Sequence, residues 1–174
     1  MNKLATVTAT ILLLAAAAAA AEGPNDAQIA AIVVTANQVD IDAGKLAEAK
    51  ASRADVKAFA KQMVTDHSGV NKQAVALVTK LKVTPEDNAT AQSLKAGGVD
   101  NVKSLEKMSG AAFDRAYVEH EVAYHQQVLD AIDKVLIPGA QNAELKGLLV
   151  AVRPAFAAHL EHAKSLQASL AKKS

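Results

Sequence analysis

Apolar residues recur at steps of three and four in four long segments of this 174-residue chain, and this spacing constrains the fold more than any other feature. Such steps place side chains on one face of an α-helix, whereas a half-buried strand alternates with period two. The second segment shows the pattern most fully, at Val56, Ala60, Met63, His67, Val70, Ala74, Leu77 and Leu81. The sequence therefore predicts an all-α protein, and one apolar stripe per helix is typical of a four-helix bundle.

Capping residues set the predicted ends of these helices. The helices are predicted at residues 25–51, 52–82, 111–136 and 142–170, with a Pro-Gly turn at 138–139. Asn25 or Asp26 caps the first helix, because short polar side chains accept hydrogen bonds from free backbone N–H groups. Ser52 caps the second helix, and Asp55 completes a capping box three residues later. Asn142 caps the fourth helix.

A connector of residues 83–109 separates the second and third helices. Thr84, which is followed by proline, predicts the start of a short helix that the glycines at 97–98 are expected to end. Asp100 predicts a second short helix, which ends at Gly110. A connector of this length can cross the assembly from end to end, and ferritin-like bundles have one such crossover.

The first 21 residues have the features of a signal peptide. Lys3 supplies a positive start, an apolar stretch runs to Ala21, and its alanines offer an Ala-x-Ala cleavage site before Glu22. We expect residues 1–21 to be removed and residues 22–174 to form the domain, exported to the periplasm or associated with the outer membrane or cell surface. The alternative is an uncleaved anchor, because the stretch approaches the roughly 20 residues that span a bilayer.

Charge and cysteine content exclude several classes of function. The chain has 19 Lys and Arg against 18 Asp and Glu, with no basic block, so it lacks the clustered charge that neutralises nucleic-acid phosphates. It has no Cys, so thiolate ligands, thiol nucleophiles and disulfides are excluded. No phosphate-binding loop, dinucleotide fingerprint or nucleophile elbow occurs.

Three histidines occupy core-stripe positions near the middle of predicted helices two, three and four, namely His67, His125 and His159. Helix one supplies Asp40 on its inward side. Asp40 lies 12 residues before Ser52 and His67 lies 15 after it. In an antiparallel hairpin these positions differ by about 4.5 Å of rise, so we expect the two side chains to face each other.

Further candidates lie within one helical turn of these residues. Asp66 adjoins His67, Glu121 precedes His125 by four residues, and His162 follows His159 by three. Imidazole and carboxylate groups are the ligands of Zn, Fe, Mn and Cu sites. The candidate metal ligands are therefore His67, His125, His159, Asp40, Asp66, Glu121 and His162.

Three functions remain open on these residues. The first is a non-enzymatic envelope protein that binds a transition metal. The second is an interaction protein for envelope stress or adhesion, in which buried pairs such as Asp40–His67 and Glu121–His125 serve only the fold. The third is a redox enzyme, which is the least favoured because the Glu-x-x-His of di-iron bundles is missing from the sequence. The identity of the partner and the oligomeric state are left open.

Several segments resemble one protein family. They are Asp40-Ile-Asp-Ala-Gly-Lys-Leu-Ala47, Val56-Lys-Ala-Phe-Ala-Lys-Gln-Met-Val-Thr-Asp-His67, Phe113-Asp-Arg-Ala-Tyr117 with His125, and Arg153-Pro154 with His159-Leu160. Together they resemble the secreted bacterial family DUF4142, over about residues 27–170. The resemblance implies a ferritin-like fold and a place in the cell envelope, and it implies no particular activity.

Overall fold

The computed structural model describes residues 23–172, and within that range the chain is all-helical with no strand. The predicted signal peptide lies outside the described residues. The elements are α1 (Asp26–Lys50), α2 (Ala54–Leu81), α3 (Ala89–Glu106), α4 (Gly110–Ala131), a π-helical segment (Ile132–Leu136), α5 (Ile137–Gly139) and α6 (Ala143–Ala171). The all-α prediction is confirmed for this part of the chain. None of its helices is both long and apolar enough to cross a membrane.

Contacts between helix ends define the direction of each helix. Lys80, near the end of α2, pairs with Glu144 at the start of α6, whereas Arg53, just before α2, donates to Ser169 near the end of α6. These two helices therefore run antiparallel. The carboxylate of Asp26, at the start of α1, accepts from the backbone N–H of Asn142, beyond the end of α4. The start of α1 therefore lies beside the end of α4, which makes that pair antiparallel as well.

The connector forms one helix and not two. Asn88 caps α3 by accepting from the Ala91 N–H at 3.0 Å, so the predicted start at Thr84 is wrong. The glycines at 97–98 do not end the helix, and the predicted second start at Asp100 lies within it. A glycine costs a helix only about 1 kcal/mol relative to alanine, which tertiary packing can offset.

That packing is visible at Gly98, which lies against Val39 of α1. A Cβ atom added to Gly98 would lie 2.7 Å from both γ-methyl groups of Val39. Contacts at both ends fix the direction of α3: Glu86, just before it, donates to the Ala27 carbonyl, and Lys50 donates to the carbonyl of Glu106. The helix therefore runs parallel to α1, from the start of α1 to its end.

The start of α2 differs from the predicted capping box. The N-cap residue is Arg53, and it makes no side-chain capping bond. Ser52 instead donates through its backbone N–H and its hydroxyl to the fully buried carboxylate of Asp114 in α4. Asp55 pairs with Arg53. The Ser52 hydroxyl, which the local pattern assigned to capping α2, is therefore bonded to a residue of a distant helix.

The other predicted caps are confirmed, and the predicted turn at 138–139 is wrong. Asn25 forms a complete capping box with Gln28, and Asn142 accepts from the first N–H groups of α6.

The chain after α4 stays helical through the π segment and α5 up to Gly139. Pro138 lies directly after the π-helical segment, in the three-residue α5 that ends this helical run. Gly110 starts α4 with φ +57°, a conformation that glycine adopts without strain.

Two apolar clusters fill the interior, and a layer of polar side chains lies between them. One cluster includes Ile32 and Leu149, and the other includes Ala43 and Phe59. Between them are six buried polar residues, which we call the polar layer: Asn37, Asp40, His67, Glu121, His125 and His159. The fold therefore brings the chemistry-bearing residues of α1, α2, α4 and α6 to one level.

Adjacent glycines in α3 provide a test of this packing. Gly98→Ala is expected to destabilise the protein by about 1–3 kcal/mol, because the new methyl group overpacks against the stiff side chain of Val39. Gly97→Ala is the matched control: nothing lies within 4 Å of its added Cβ, so it should stabilise by about 0.5–1 kcal/mol. Urea unfolding of both variants measures the difference. Equal changes in the two variants would contradict the close approach of α3 to α1.

Candidate metal centre

Three imidazoles form a nearly regular triangle in the polar layer. The ring centres of His67, His125 and His159 are separated by 5.5, 5.3 and 5.4 Å. All three rings are buried, and each offers one nitrogen atom such that the three nitrogens lie within 4.8 Å of one another. The prediction that α2, α4 and α6 bring these histidines together is therefore correct in geometry.

A hydrogen bond from α1 orients His67. Its Nδ1 lies 2.8 Å from the side-chain oxygen of Asn37, while the Asn37 amide nitrogen donates to the Val33 carbonyl. The Asn37 oxygen is thus the acceptor, and Nδ1 of His67 must carry the proton. Nε2 of the neutral ring then carries a lone pair. That atom is buried and has no hydrogen-bond partner among residues 23–172.

The other two imidazoles are held in the same way. Nδ1 of His125 donates to the backbone carbonyl of Glu121 at 3.0 Å, and Nε2 of His159 lies 2.9 Å from a carboxylate oxygen of Asp66. The remaining nitrogen of each ring is buried and finds no partner in the described chain. Metal-binding histidines characteristically donate their second N–H to a carbonyl or carboxylate, which fixes the ring and leaves the inner lone pair available.

Two buried carboxylates approach the imidazoles. Oδ2 of Asp40 lies 3.2 Å from Nε2 of His67 and 3.5 Å from Nε2 of His125. Oε2 of Glu121 lies 3.4 Å from Nδ1 of His125. Asp40, Glu121 and His125 form a second group whose ligand atoms lie within 4.8 Å of one another. The expectation that Asp40 faces His67 across the α1–α2 hairpin is confirmed.

Burial and mutual repulsion control the protonation of these groups. Burial raises the pKa of Asp40 well above its usual value, and the Glu121 carboxylate raises it further. Burial would also raise the pKa of Glu121, but the His120 and His125 imidazoles outweigh that effect and lower it. Burial and the two neighbouring imidazoles lower the pKa of His67 to about 3, and burial lowers that of His159. His67 is therefore neutral at pH 7, with its lone pair free.

The unpartnered atoms of the layer share one chemical property. The four carboxylate oxygens of Asp40 and Glu121 and the inner nitrogens of the three histidines all donate electron pairs, and none finds a hydrogen-bond donor within residues 23–172. Burying such atoms together costs free energy unless a proton or a cation lies between them. This arrangement is suited to holding a positive charge.

The remaining predicted residues lie at the edge of the layer or outside it. Asp66 has a side chain 41% exposed and contacts Nε2 of His159, so it holds that ring from outside. His162 belongs to neither group; it is exposed, and its ring packs edge-on against Phe59. His162 is thus not brought to the other histidines, because three residues of helix turn it by about 300° from His159.

Sequence analysis missed Asn37, the residue that fixes the tautomer of His67. The signal was present: Asn37 precedes Asp40 by three residues, on the same side of α1. A buried amide at that spacing needs a partner, and the adjacent helix supplies an imidazole. Tyr124 is buried and donates through its hydroxyl to the Ala36 carbonyl at 2.8 Å.

Fold and polar layer together define an all-helical protein with a buried histidine–carboxylate cluster. The family model described as "Domain of unknown function (DUF4142)" matches residues 12–166, and the chain belongs to this family. Among curated proteins and solved structures, none matches the chain.

Replacing Asp40 tests whether the layer opposes the stability of the metal-free protein. In chelator-treated protein, Asp40→Asn is expected to stabilise the fold by about 1–3 kcal/mol, because the amide supplies N–H donors to the lone pairs around it. The folded state holds the Asp40 proton more tightly than the unfolded chain does, so wild-type stability is lost as pH rises above the ordinary pKa of an aspartic acid side chain. The gain from Asp40→Asn should therefore grow with pH.

The measurement is urea unfolding at several pH values. Asp42→Asn is the matched control, since Asp42 is exposed on the same helix and should change stability by no more than about 0.5 kcal/mol. A metal-free Asp40→Asn protein that is less stable than the wild type would show that the carboxyl group is a structural hydrogen-bonding partner.

Proposed function

We propose that this protein is an exported, non-enzymatic cell-envelope protein that binds one divalent transition-metal ion in the polar layer. The ligands are the imidazoles of His67, His125 and His159 and the carboxylate of Asp40, with Glu121 close by. The observation that carries the proposal is the convergence of buried imidazole nitrogens and carboxylate oxygens that make no hydrogen bond within the described residues.

The distances fit a site of this kind. Zinc binds imidazole nitrogen at about 2.0–2.1 Å, so tetrahedral ligand atoms lie about 3.4 Å apart. The contacts of Asp40 with His67 and His125 are 3.2 and 3.5 Å. Imidazole ring centres around one such ion lie about 5 Å apart, close to the 5.3–5.5 Å of the histidine triangle.

The donor set selects a group of metals. Three imidazoles with carboxylate oxygen and no sulfur suit Zn, Fe, Mn and Cu, and oxygen-preferring Ca and Mg are disfavoured. Zinc is the first ion to test, because imidazole nitrogens with carboxylate oxygen match its preference.

The same proposal includes the fold type. The helices α1, α2, α4 and α6 would form a ferritin-like four-helix bundle, with α3 as the crossover. The antiparallel pairs α1–α4 and α2–α6, together with the end-to-end passage of α3, support it. An experimental structure in which α2 and α4 run antiparallel would contradict it.

Export is proposed from the pattern of the first 21 residues. Protein isolated from the native envelope is expected to have the intact mass of residues 22–174, because the Ala-x-Ala site invites cleavage. Intact-mass spectrometry on periplasmic and membrane fractions measures this. A mass that includes residues 1–21, found in the membrane fraction, would indicate an anchored protein.

A second candidate is an interaction protein whose buried histidines serve only the fold. Its support is that each of the three imidazoles already has one hydrogen-bonding partner. In that case the proton retained by Asp40 would satisfy His67, and no metal would be needed. Metal titration separates the two candidates.

Replacing single histidines tests the metal site. The wild-type full chain, purified without a His tag, should bind about one zinc ion and unfold at a higher temperature with added zinc, by mass action. His159→Ala should weaken binding by about 100-fold or more, because a ligand is lost. His162→Ala, three residues away and outside both groups, should leave binding unchanged. Calorimetry and metal analysis after gel filtration measure both variants.

Two outcomes decide against the proposal. One is that zinc, copper, iron and manganese shift neither the melting temperature nor the histidine NMR signals. The other is equal binding by wild type and His159→Ala.

Acid should release the ion, because protons compete for the same lone pairs.

A further inference from the structure

A cavity of about 200 Å³ opens between α1, α3, α4 and α6, on one side of the polar layer. Its inner wall is formed by buried apolar side chains, among them Val33, Leu149 and Phe156. None of the described residues that line it is charged. Ligand sites in proteins are commonly concave and mostly apolar. Neither the family description nor the metal proposal gives this cavity a role.

Two polar residues of the inner wall, Asn37 and Tyr124, have partners elsewhere in the protein. The Asn37 side chain accepts from His67 and donates to the Val33 carbonyl. The Tyr124 hydroxyl donates to the carbonyl of Ala36. These side chains therefore bring no free hydrogen-bonding group to the cavity.

Two histidines of the inner wall direct their polar atoms away from the cavity. Nε2 of His67 and Nε2 of His125 lie 3.2 and 3.5 Å from Asp40, and both nitrogen atoms are buried. Nδ1 of each ring is bonded to another part of the chain. The imidazoles therefore border the cavity through ring carbon atoms. A polar group placed in the inner part would lose its water without replacement, so what enters must be apolar.

The outer part of the cavity differs from the inner part. Thr90, Gln127 and Val135 line it and are exposed, so they mark its mouth, between α3 and the last turns of α4 with the π segment. Two of these side chains are polar and uncharged. Val135 is 43% exposed and extends the apolar wall to the surface. The mouth can therefore pass an apolar chain whose other end stays in water.

Shape and volume restrict the occupant further. The lining follows α4 and the π segment from Tyr124 to Leu136, which is about 18 Å of helix, so the space is elongated. A cavity of about 150 Å³ holds benzene, so one of about 200 Å³ holds roughly eight carbon atoms. An elongated space of this volume fits an unbranched alkyl chain.

We propose that this cavity binds the alkyl chain of a single-chain amphiphile, with the chain directed inward and the polar head group in water at the mouth beside Thr90 and Gln127. Burial of methylene groups supplies the affinity. The ligand uses no atom of the metal site, so its binding requires no metal ion.

A series of alkyl glucosides below their micelle concentrations tests the proposal on the full chain. Calorimetry should show saturable binding that tightens about fourfold per methylene from hexyl to octyl glucoside and then stops rising, because the cavity is full. Octanoate should bind within about tenfold of octyl glucoside, because neither head group is buried. Binding without saturation, a rise that continues to decyl glucoside, or a larger difference between the two heads would overturn the proposal.

Methyl NMR locates the ligand and its direction. Ile32 and Ile132 line the cavity and should shift with octyl glucoside, whereas buried Ile41 lies elsewhere and should not. An octanoyl ester of a nitroxide alcohol carries its spin label at the head, so it should broaden Val135 at the mouth more than Val152 on the inner wall. Equal or reversed broadening would overturn the proposed direction.

A filling substitution has a matched control on the same helix. Ala131→Leu places a larger side chain in the cavity wall and should weaken octyl glucoside binding at least about tenfold. Ala123→Leu, on an exposed face, should leave it unchanged. Equal effects of the two variants would count against the cavity. The wild-type readouts decide the question even if Ala131→Leu does not fold.

Zinc separates this proposal from the proposed metal site. Zinc-treated and chelator-treated protein should bind octyl glucoside equally, because the ligand contacts no atom that holds the ion. Failure to bind zinc would overturn the metal proposal alone, and failure to bind octyl glucoside would overturn the cavity proposal alone.

Discussion

Burial of electron-pair donors in one layer is the constraint on which the rest of the structure depends. Asp40 and Glu121 are fully buried together with three imidazoles, between two apolar clusters that exclude water. Buried carboxylate charges and imidazole lone pairs lower the stability of the fold unless a proton or a cation offsets them. Burial of the two apolar clusters supplies the stability that offsets the cost of burying this layer. A protein selected for stability alone would be expected to place leucine or alanine at these positions.

The contacts around the layer give it a defined shape. Asn37, the Glu121 carbonyl and Asp66 each accept the outer N–H of one imidazole, so that each ring turns its other nitrogen inward. Such outer contacts position a ligand set before the ion arrives, which removes the cost of ordering it.

Much of the site could be predicted because helical geometry is regular. Counting residues from the α1–α2 turn brought Asp40 opposite His67, and the stripe pattern placed His125 and His159 inside. His162 was included because residues three apart are neighbours along a helix, yet three steps miss a full turn by about 60°. That angle is enough to leave the ring of His162 exposed on α6 while the ring of His159 is buried.

The sequence by itself determined that the chain is helical, where most helices begin, and which faces are apolar, because these depend on residues within one or two turns. Tertiary structure alone decided the rest. The partner of Ser52 is 62 residues away, that of His67 is 30 away, and that of His159 is 93 away. A side chain with several local options takes the one that satisfies a buried group. Which nitrogen faces inward, and whether α3 stays whole at its glycines, therefore follow from packing between helices.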